Sequence, residues 1–219
     1  MLRIVAVSDT HRNYKYKIPD GDIFIHAGDI GNFENVHDPE AYDLFLEMLE
    51  GLPHKHKLVI GANHDTYLED HEAEFLEKAE GICTYLKDDS EVIEGICFYG
   101  SPWTKYINNR HAFSIDFHHI KKIWDKIHDE TDILITHQPP YQILSKSISD
   151  RELGCKALNK RVFELDILVH FMGHIHFQGG SYKQMGNTLF YNVAYDKTHN
   201  DKCAVVDLDI ETREIEIID

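Results

Sequence analysis

Five times in this chain a short apolar run stops abruptly at a polar string. LRIVAV meets Ser8-Asp9, DIFIHAG meets Asp29, KLVIGA meets Asn63, DILITH meets Gln138, and DILVHFMG meets His174. Runs of this length, apolar at consecutive positions, read as strands buried on both faces, and such strands need a covering layer on each side. Between some of them lie helical patterns. The clearest carries Ala41, Leu44, Phe45, Met48, Leu49 and Leu52 on one stripe, opened by Asp38-Pro39 and closed near Gly51-Leu52-Pro53. Others run from Glu69 to Glu80, from Ile115 to Ile127 with Phe117, Ile120, Ile123, Trp124 and Ile127 on one side, and from about Arg151 to Glu164.

Other segments lack intervening helices. EVIEG and ICFYGS, then SYKQM, TLFYNVA, CAVVDLDI and REIEIID, are joined by Gly, Asn or Glu-Thr turns and read as hairpin strands of a second, mostly antiparallel sheet. The combination predicts an α/β fold with two mixed β-sheets face to face and helices outside, a four-layer αββα sandwich. There is no internal repeat, low-complexity tract or linker, so residues 1–219 are expected to form one domain.

Charge narrows the partners. Lys and Arg total 22 against 38 Asp and Glu, a net −16, so the mean field repels duplex nucleic acid and anionic bilayers. No apolar run approaches the roughly 20 residues of a membrane span, and Leu2 to Val7 leads into Ser8-Asp9 instead of a cleavage pattern, so a cytoplasmic protein is expected. Cys83, Cys97, Cys155 and Cys203 are far apart, with no C-x-x-C, and read as small buried hydrophobes.

The polar strings hold Asp9-Thr10-His11, Gly28-Asp29, Asn63-His64-Asp65, His137 and Gly173-His174-Ile175-His176. These are nitrogen and oxygen ligands without a thiolate. Open α/β sheets bind ligands beyond the carboxyl ends of their strands, so the five exits should converge. His174 and His176, if still extended, would face the same way. The ordinary alternative is a set of capping and loop polars, as Asp9 and Asp29 would be if they stood alone. His26 and His170, inside apolar runs, read as hydrogen-bonded core histidines, while His54, His56, His118, His119 and His128 read as solvated.

D-x-H, G-D, N-H-D, a lone H and G-H-x-H, in that order, resemble the scattered signature of the calcineurin-like metallophosphoesterase superfamily. Tyr99-Gly100-Ser101-Pro102-Trp103 and Thr136-His137-Gln138-Pro139-Pro140 make the chain similar to its small MPPED-like branch of cyclic-nucleotide phosphodiesterase-type proteins, over nearly the whole length. The resemblance implies two divalent metal ions, Mn first with Fe or Zn as alternatives. Asp9, His11 and His176 would hold one, Asn63, His137 and His174 the other, and Asp29 would bridge them. It also implies hydrolysis of a small phosphoester by in-line attack of a metal-bridging hydroxide, with His64 as acid or transition-state stabiliser and Asp65 orienting it. Four metal charges less two from Asp9 and Asp29 leave a local +2 that attracts phosphate despite the global −16.

Two departures stand out. The family usually has Gly directly before Asn-His, whereas here Gly61-Ala62-Asn63 puts a Cβ there. Ile30-Gly31-Asn32-Phe33 follows Gly28-Asp29 where phosphoprotein phosphatases carry Asp-Arg, which speaks against that activity. Trp103 and Arg110 could stack a base and pair a phosphate, and read equally well as a plug at the core edge and a surface cation. Beside a phosphodiesterase stand two alternatives: a nuclease or RNA-end-processing enzyme, for which no separate nucleic-acid module is present, and a metal-binding scaffold, which the intact His64 and ligand set oppose.

Overall fold

The computed structural model describes residues 1–31, 35, 37–105 and 111–218. The chain begins with β1 (Leu2–Val7), β2 (Ile23–Ala27), α1 (Pro39–Glu50), β3 (His56–Ile60), α2 (Thr66–Asp70), α3 (Glu72–Ala79) and β4 (Thr84–Tyr85). There follow β5 (Asp89–Ile93), β6 (Ile96–Ser101), the short β7 (Thr104–Lys105) and β8 (Ser114–Ile115), α4 (Phe117–Trp124), β9 (Ile133–Thr136), α5 (Lys156–Val162) and β10 (Val169–Met172). A single 3₁₀ turn, His176–Gln178, leads into β11 (Tyr182–Met185), β12 (Thr188–Asn192), β13 (Ala204–Leu208) and β14 (Ile215–Ile218).

Two six-stranded sheets form, in the orders β14-β13-β1-β2-β3-β4 and β11-β12-β10-β9-β6-β5. Side-chain alternation sorts each strand between layers. Ile4 and Ala6 of β1 point inward to a cluster shared with Phe98, Ile133, Ile135, Val169 and Phe171 of the other sheet. Val5 and Val7 point outward, under Phe45 and Leu49 of α1 and Phe75 of α3. On the far side Leu134, Met172 and Phe190 pack under Ile120 and Trp124 of α4 and Leu158 of α5. Three apolar layers therefore separate helix, sheet, sheet and helix, as the periodicity predicted.

The second sheet departs from its expected hand of pairing. β12, β10, β9 and β6 run parallel, and only the edge pairs β11·β12 and β5·β6 are antiparallel. Hairpin turns mark those edges, but β9 and β10 are buried throughout and sit at the centre. The last two strands join the first sheet instead, β13 pairing antiparallel with β1. The crossing between sheets is a strap in which Ser8 bridges Ala194 and Tyr195 N donates to Ser8 O at 2.8 Å.

Helices differ in detail. On α1 the buried stripe is Ala41, Tyr42, Phe45, Leu46 and Leu49, and Leu44 is exposed, because Tyr42 turns its ring inward and its hydroxyl onto Asp65. The 69–80 pattern divides at His71, whose φ of −123° and ψ of 32° leave the helical region. Asp116 starts α4 by accepting from His118 N, so Ile115 stays in β8 and Phe117 projects to solvent.

Candidate metal centre

Strands β1, β2 and β3 are mutually parallel, as are β9 and β10, so their carboxyl ends leave each sheet on one edge. Just beyond those ends, Asp9, His11, Asp29 and His174 all take left-handed φ values, 57°, 42°, 57° and 68°. This conformation is uncommon for residues with a Cβ, and concentrated here it turns the side chains back over the sheet ends. The loops brace one another: Asp9 N donates to Gly28 O at 2.9 Å and His11 N to Asp29 O at 3.1 Å. Gly173 lets the two sheets close, since a Cβ there would lie 2.2 Å from Ser8 Oγ and 2.4 Å from Asp9 Oδ2. Ala62, the residue in place of a family glycine, fits because Gly28 opposite is bare; a Cβ on Gly28 would lie 2.5 Å from that of Ala62.

At the centre two buried carboxylates meet several imidazoles. Asp29 Oδ2 lies 3.2 Å from His137 Nε2 and 3.9 Å from His11 Nε2, and Asp9 Oδ1 lies 3.2 Å from His176 Nε2 and 3.9 Å from His137 Nε2. The far nitrogens fix the tautomers. His137 Nδ1 donates to Ala27 O at 2.9 Å and His11 Nδ1 to Gly31 O at 3.1 Å, so each neutral ring presents a lone pair on Nε2 to the carboxylates. Lone pairs and carboxylates converging in a dry site repel one another unless a cation or proton lies between them. Consistent with this, burial disfavours charge on His137, but the Asp29 and Asp9 carboxylates override it and push the imidazole up to about 9. In the same way Asp9 and Asp29 resist burial and are held below the usual carboxylate range by His137, with His176 helping at Asp9.

Two groups in the described residues could hold an ion, Asp9 with His11 and His176, and Asp9 with Asp29 and His137. Asn63 adds an oxygen donor, because its Oδ1 is buried without a hydrogen-bond partner, as is His137 Nε2. His174 stands beside His137, ring centroids 5.2 Å apart, and its backbone N donates to both oxygens of Asp9 at 3.0 and 3.2 Å. All seven expected ligand residues therefore gather at the strand ends. His174 and His176 do not share an extended face: His174 is left-handed and His176 opens a 3₁₀ turn, because the chain must bend sharply after β10 to reach β11.

Asp65 has partners other than those expected. Its carboxylate is fully buried and accepts from Asp29 N at 2.9 Å, Gly31 N at 2.8 Å, Ala62 N at 2.8 Å and the Tyr42 hydroxyl at 2.9 Å. It thus ties the loops after β2 and β3 to α1. Burial and the Asp29 charge push this carboxyl up to about 7, against the pull of Gly31 N–H and Tyr42. His64 hangs from the same frame, its N donating to Asp29 Oδ1 at 2.9 Å, with its ring between those of His11 (5.4 Å) and His111 (5.2 Å). The fold brings His111, distant in sequence, to His64.

His26 and His170 are core histidines as expected, bonded to Thr10 Oγ1 at 2.9 Å and Thr136 Oγ1 at 2.8 Å. His54, expected in solvent, is buried against the Phe24 ring. The side chain of Trp103 serves the seam between layers: Nε1 donates to Asp88 Oδ2 at 3.1 Å and its ring meets Phe113 edge-on. Arg110 lies outside the described residues. Beyond Ala194, Asp196 Oδ2 lies 3.6 Å from His176 Nδ1.

Fold and site together define an αββα metallophosphoesterase, and residues 2–178 match the calcineurin-like phosphoesterase family, to which the chain belongs. Within that family it is 32% identical over 212 residues to UPF0046 protein K07C11.7 of Caenorhabditis elegans, covering 88% of this chain and 69% of that one. It is 30% identical over 217 residues to metallophosphoesterase domain-containing protein 1 of Homo sapiens, covering 88% of this chain and 65% of that protein, which matches the MPPED-like branch. One solved crystal structure superposes with a TM-score of 0.74 at 15% identity, over 99% of this chain and 98% of the other, a likeness of fold. No described helix is long and apolar enough to cross a membrane.

Proposed function

We propose that the chain is a phosphodiesterase that binds two divalent metal ions, Mn first, and hydrolyses small phosphodiesters of the cyclic-nucleotide type. The observation that carries this reading is the pairing at His11 and His137. Each spends Nδ1 on a backbone carbonyl and aims Nε2 at the buried carboxylates, and Asn63, at the exit of β3, adds a buried oxygen without a hydrogen-bond partner. Carbonyl-oriented imidazoles and buried carboxylates are the donor set of a metal site with its outer contacts already in place. Two such ions, when bound, acidify a water and neutralise phosphoryl oxygens.

The protein residues then divide the work. Asp9, His11 and His176 would hold one ion, Asn63, His137 and His174 the other, and Asp29 would serve both, a division supported by its Oδ2 lying near one imidazole of each set. The N/O donor set suits Mn, Fe or Zn. His64 acts on the leaving oxygen as acid or hydrogen-bond donor. Asp65 is a positioning residue, fixing the backbone of Asp29 and Ala62 so that the bridge and the His64 loop keep their spacing. The preference for a small diester over a polymer is supported by the branch resemblance and the net charge of −16.

The test is a comparison of bis-nitrophenyl phosphate, a nitrophenyl monoester, a cyclic nucleotide and a defined oligonucleotide, with Mn added back to stripped protein. Mn-dependent cleavage of the two small diesters is expected. Rapid cleavage of the monoester with the diesters untouched, or turnover of the oligonucleotide alone, overturns the substrate assignment.

A further inference from the structure

We infer that Asp196 is a positioning residue for His176, holding its Nδ1 edge so that Nε2 stays on Asp9. The inference rests on the metal-centre reading above and assigns a role to the strap between the sheets. Of the imidazoles aimed at the two carboxylates, His176 is the least confined. It sits on a single 3₁₀ turn and its side chain is 31% exposed, whereas that of His137 is fully buried. Its Nε2 is committed inward, 3.2 Å from Asp9 Oδ1 and 3.4 Å from His11 Nε2, which leaves Nδ1 as the edge by which it can be held. Asp196 Oδ2 stands 3.6 Å from that edge.

The carboxylate is itself fixed. Asp196 and Asn200 close a tight turn by exchanging backbone hydrogen bonds of 2.7 Å in both directions, and Asp196 Oδ1 accepts from Thr198 N at 2.7 Å. Asp196 Oδ2 also lies 3.3 Å from His199 Nδ1, so the same oxygen faces two imidazoles, one toward the metal centre and one away from it. The turn is pinned to the site from both ends. Tyr195 N donates to Ser8 O, next to Asp9, and Gly179 packs so closely under the strap that a Cβ there would lie 2.3 Å from Ala194 O. A carboxylate behind a ligating imidazole selects its tautomer, restrains its rotation and raises its basicity, and loss of such a partner typically weakens metal binding.

The test uses the full chain stripped of metal, as wild type, Asp196→Ala, Asp196→Asn and His199→Ala. Mn binding is measured by titration calorimetry, and the solvent exchange of the His176 Nδ1–H proton by ring ¹⁵N NMR with diamagnetic Zn bound. Wild type should bind two equivalents. Asp196→Ala should weaken one of them roughly 10–100-fold and leave the other as it was, and Asp196→Asn, whose amide oxygen can face Nδ1–H from the same place, should recover to within about 3-fold of wild type. His199→Ala should bind both equivalents. With Zn bound, the His176 Nδ1–H proton should exchange slowly with water in wild type and Asp196→Asn and fast in Asp196→Ala; if that variant does not fold, the Asn rescue and the wild-type exchange rate carry the test. Two wild-type equivalents with Asp196→Ala binding unchanged, or a His176 Nδ1–H proton that exchanges as fast in wild type as in Asp196→Ala, overturn the role of Asp196 alone. A wild type that binds no Mn overturns the metal-centre reading and this inference with it.

Discussion

His170 should make the fold sensitive to acid in a way that can be calculated. The Thr136 hydroxyl has one proton and gives it to Gln138 O at 2.8 Å, so His170 Nε2–H must be the donor in its 2.8 Å contact with Thr136 Oγ1. A second proton would sit on Nδ1, which is buried without a partner. Burial accordingly pushes this imidazole down to about 3, against about 6.5 in an unfolded chain. The unfolded state thus binds the extra proton first. The contribution to stability is complete above about pH 6.5 and is lost as pH falls from there toward 3. With 1.36 kcal/mol per unit, the loss attributable to His170 is about 2 kcal/mol at pH 5 and about 3 kcal/mol at pH 4, relative to pH 8. Urea unfolding in the presence of EDTA, followed by circular dichroism, should show wild type losing that much more than His170→Gln between pH 8 and pH 5. Other titrating groups act in both proteins and cancel in the difference. Curves that stay parallel within about 0.5 kcal/mol would refute the assignment of a neutral, singly protonated His170.

Three further outcomes are expected. His64→Ala should retain both metal ions by elemental analysis while losing roughly 10²–10⁴-fold in diester turnover; unchanged turnover removes His64 from the chemistry. Gly173→Ala should force apart Ser8 and Asp9, whose side chains lie 2.2 and 2.4 Å from the added carbon, destabilising the chain by about 1–3 kcal/mol and weakening Mn binding; wild-type behaviour in both assays would contradict the close approach. Chelation should lower the melting temperature and Mn should restore it, because the two buried carboxylates and the facing lone pairs lose their cations; a melting temperature indifferent to EDTA and Mn would speak against the centre.

Much of this arrangement was legible in the chain, and the reasons differ by residue. Strand exits could be read because a buried parallel strand needs an apolar run and its functional end needs a polar stop, as at Val7 before Asp9 and Ile60 before Asn63. His26 and His170 announced themselves as core by the apolar residues on both sides. The parallel centre of the second sheet was hidden, because pairing direction depends on where β9 and β10 insert and leaves no mark on their own residues. The left-handed backbone at Asp9, His11, Asp29 and His174 was hidden too, since these residues carry no compositional sign of it, as glycine would. Asp65 was noticed for its neighbour His64, yet its four donors come from segments up to 36 residues away. His54 and Asp196 owe their positions to tertiary packing alone, and for them no local pattern in sequence stands out.

The measurement that bears most directly on the whole account is metal content by elemental analysis of protein purified without chelator, paired with bis-nitrophenyl phosphate hydrolysis as Mn is returned to the stripped chain. Two ions per chain and turnover that rises with Mn and saturates at two equivalents are predicted. Stoichiometric metal with no turnover of any phosphoester would leave a metal-binding scaffold in place of an enzyme, and protein that takes up no metal would contradict the assignment of Asp9, His11, Asp29, Asn63, His137, His174 and His176 as ligands.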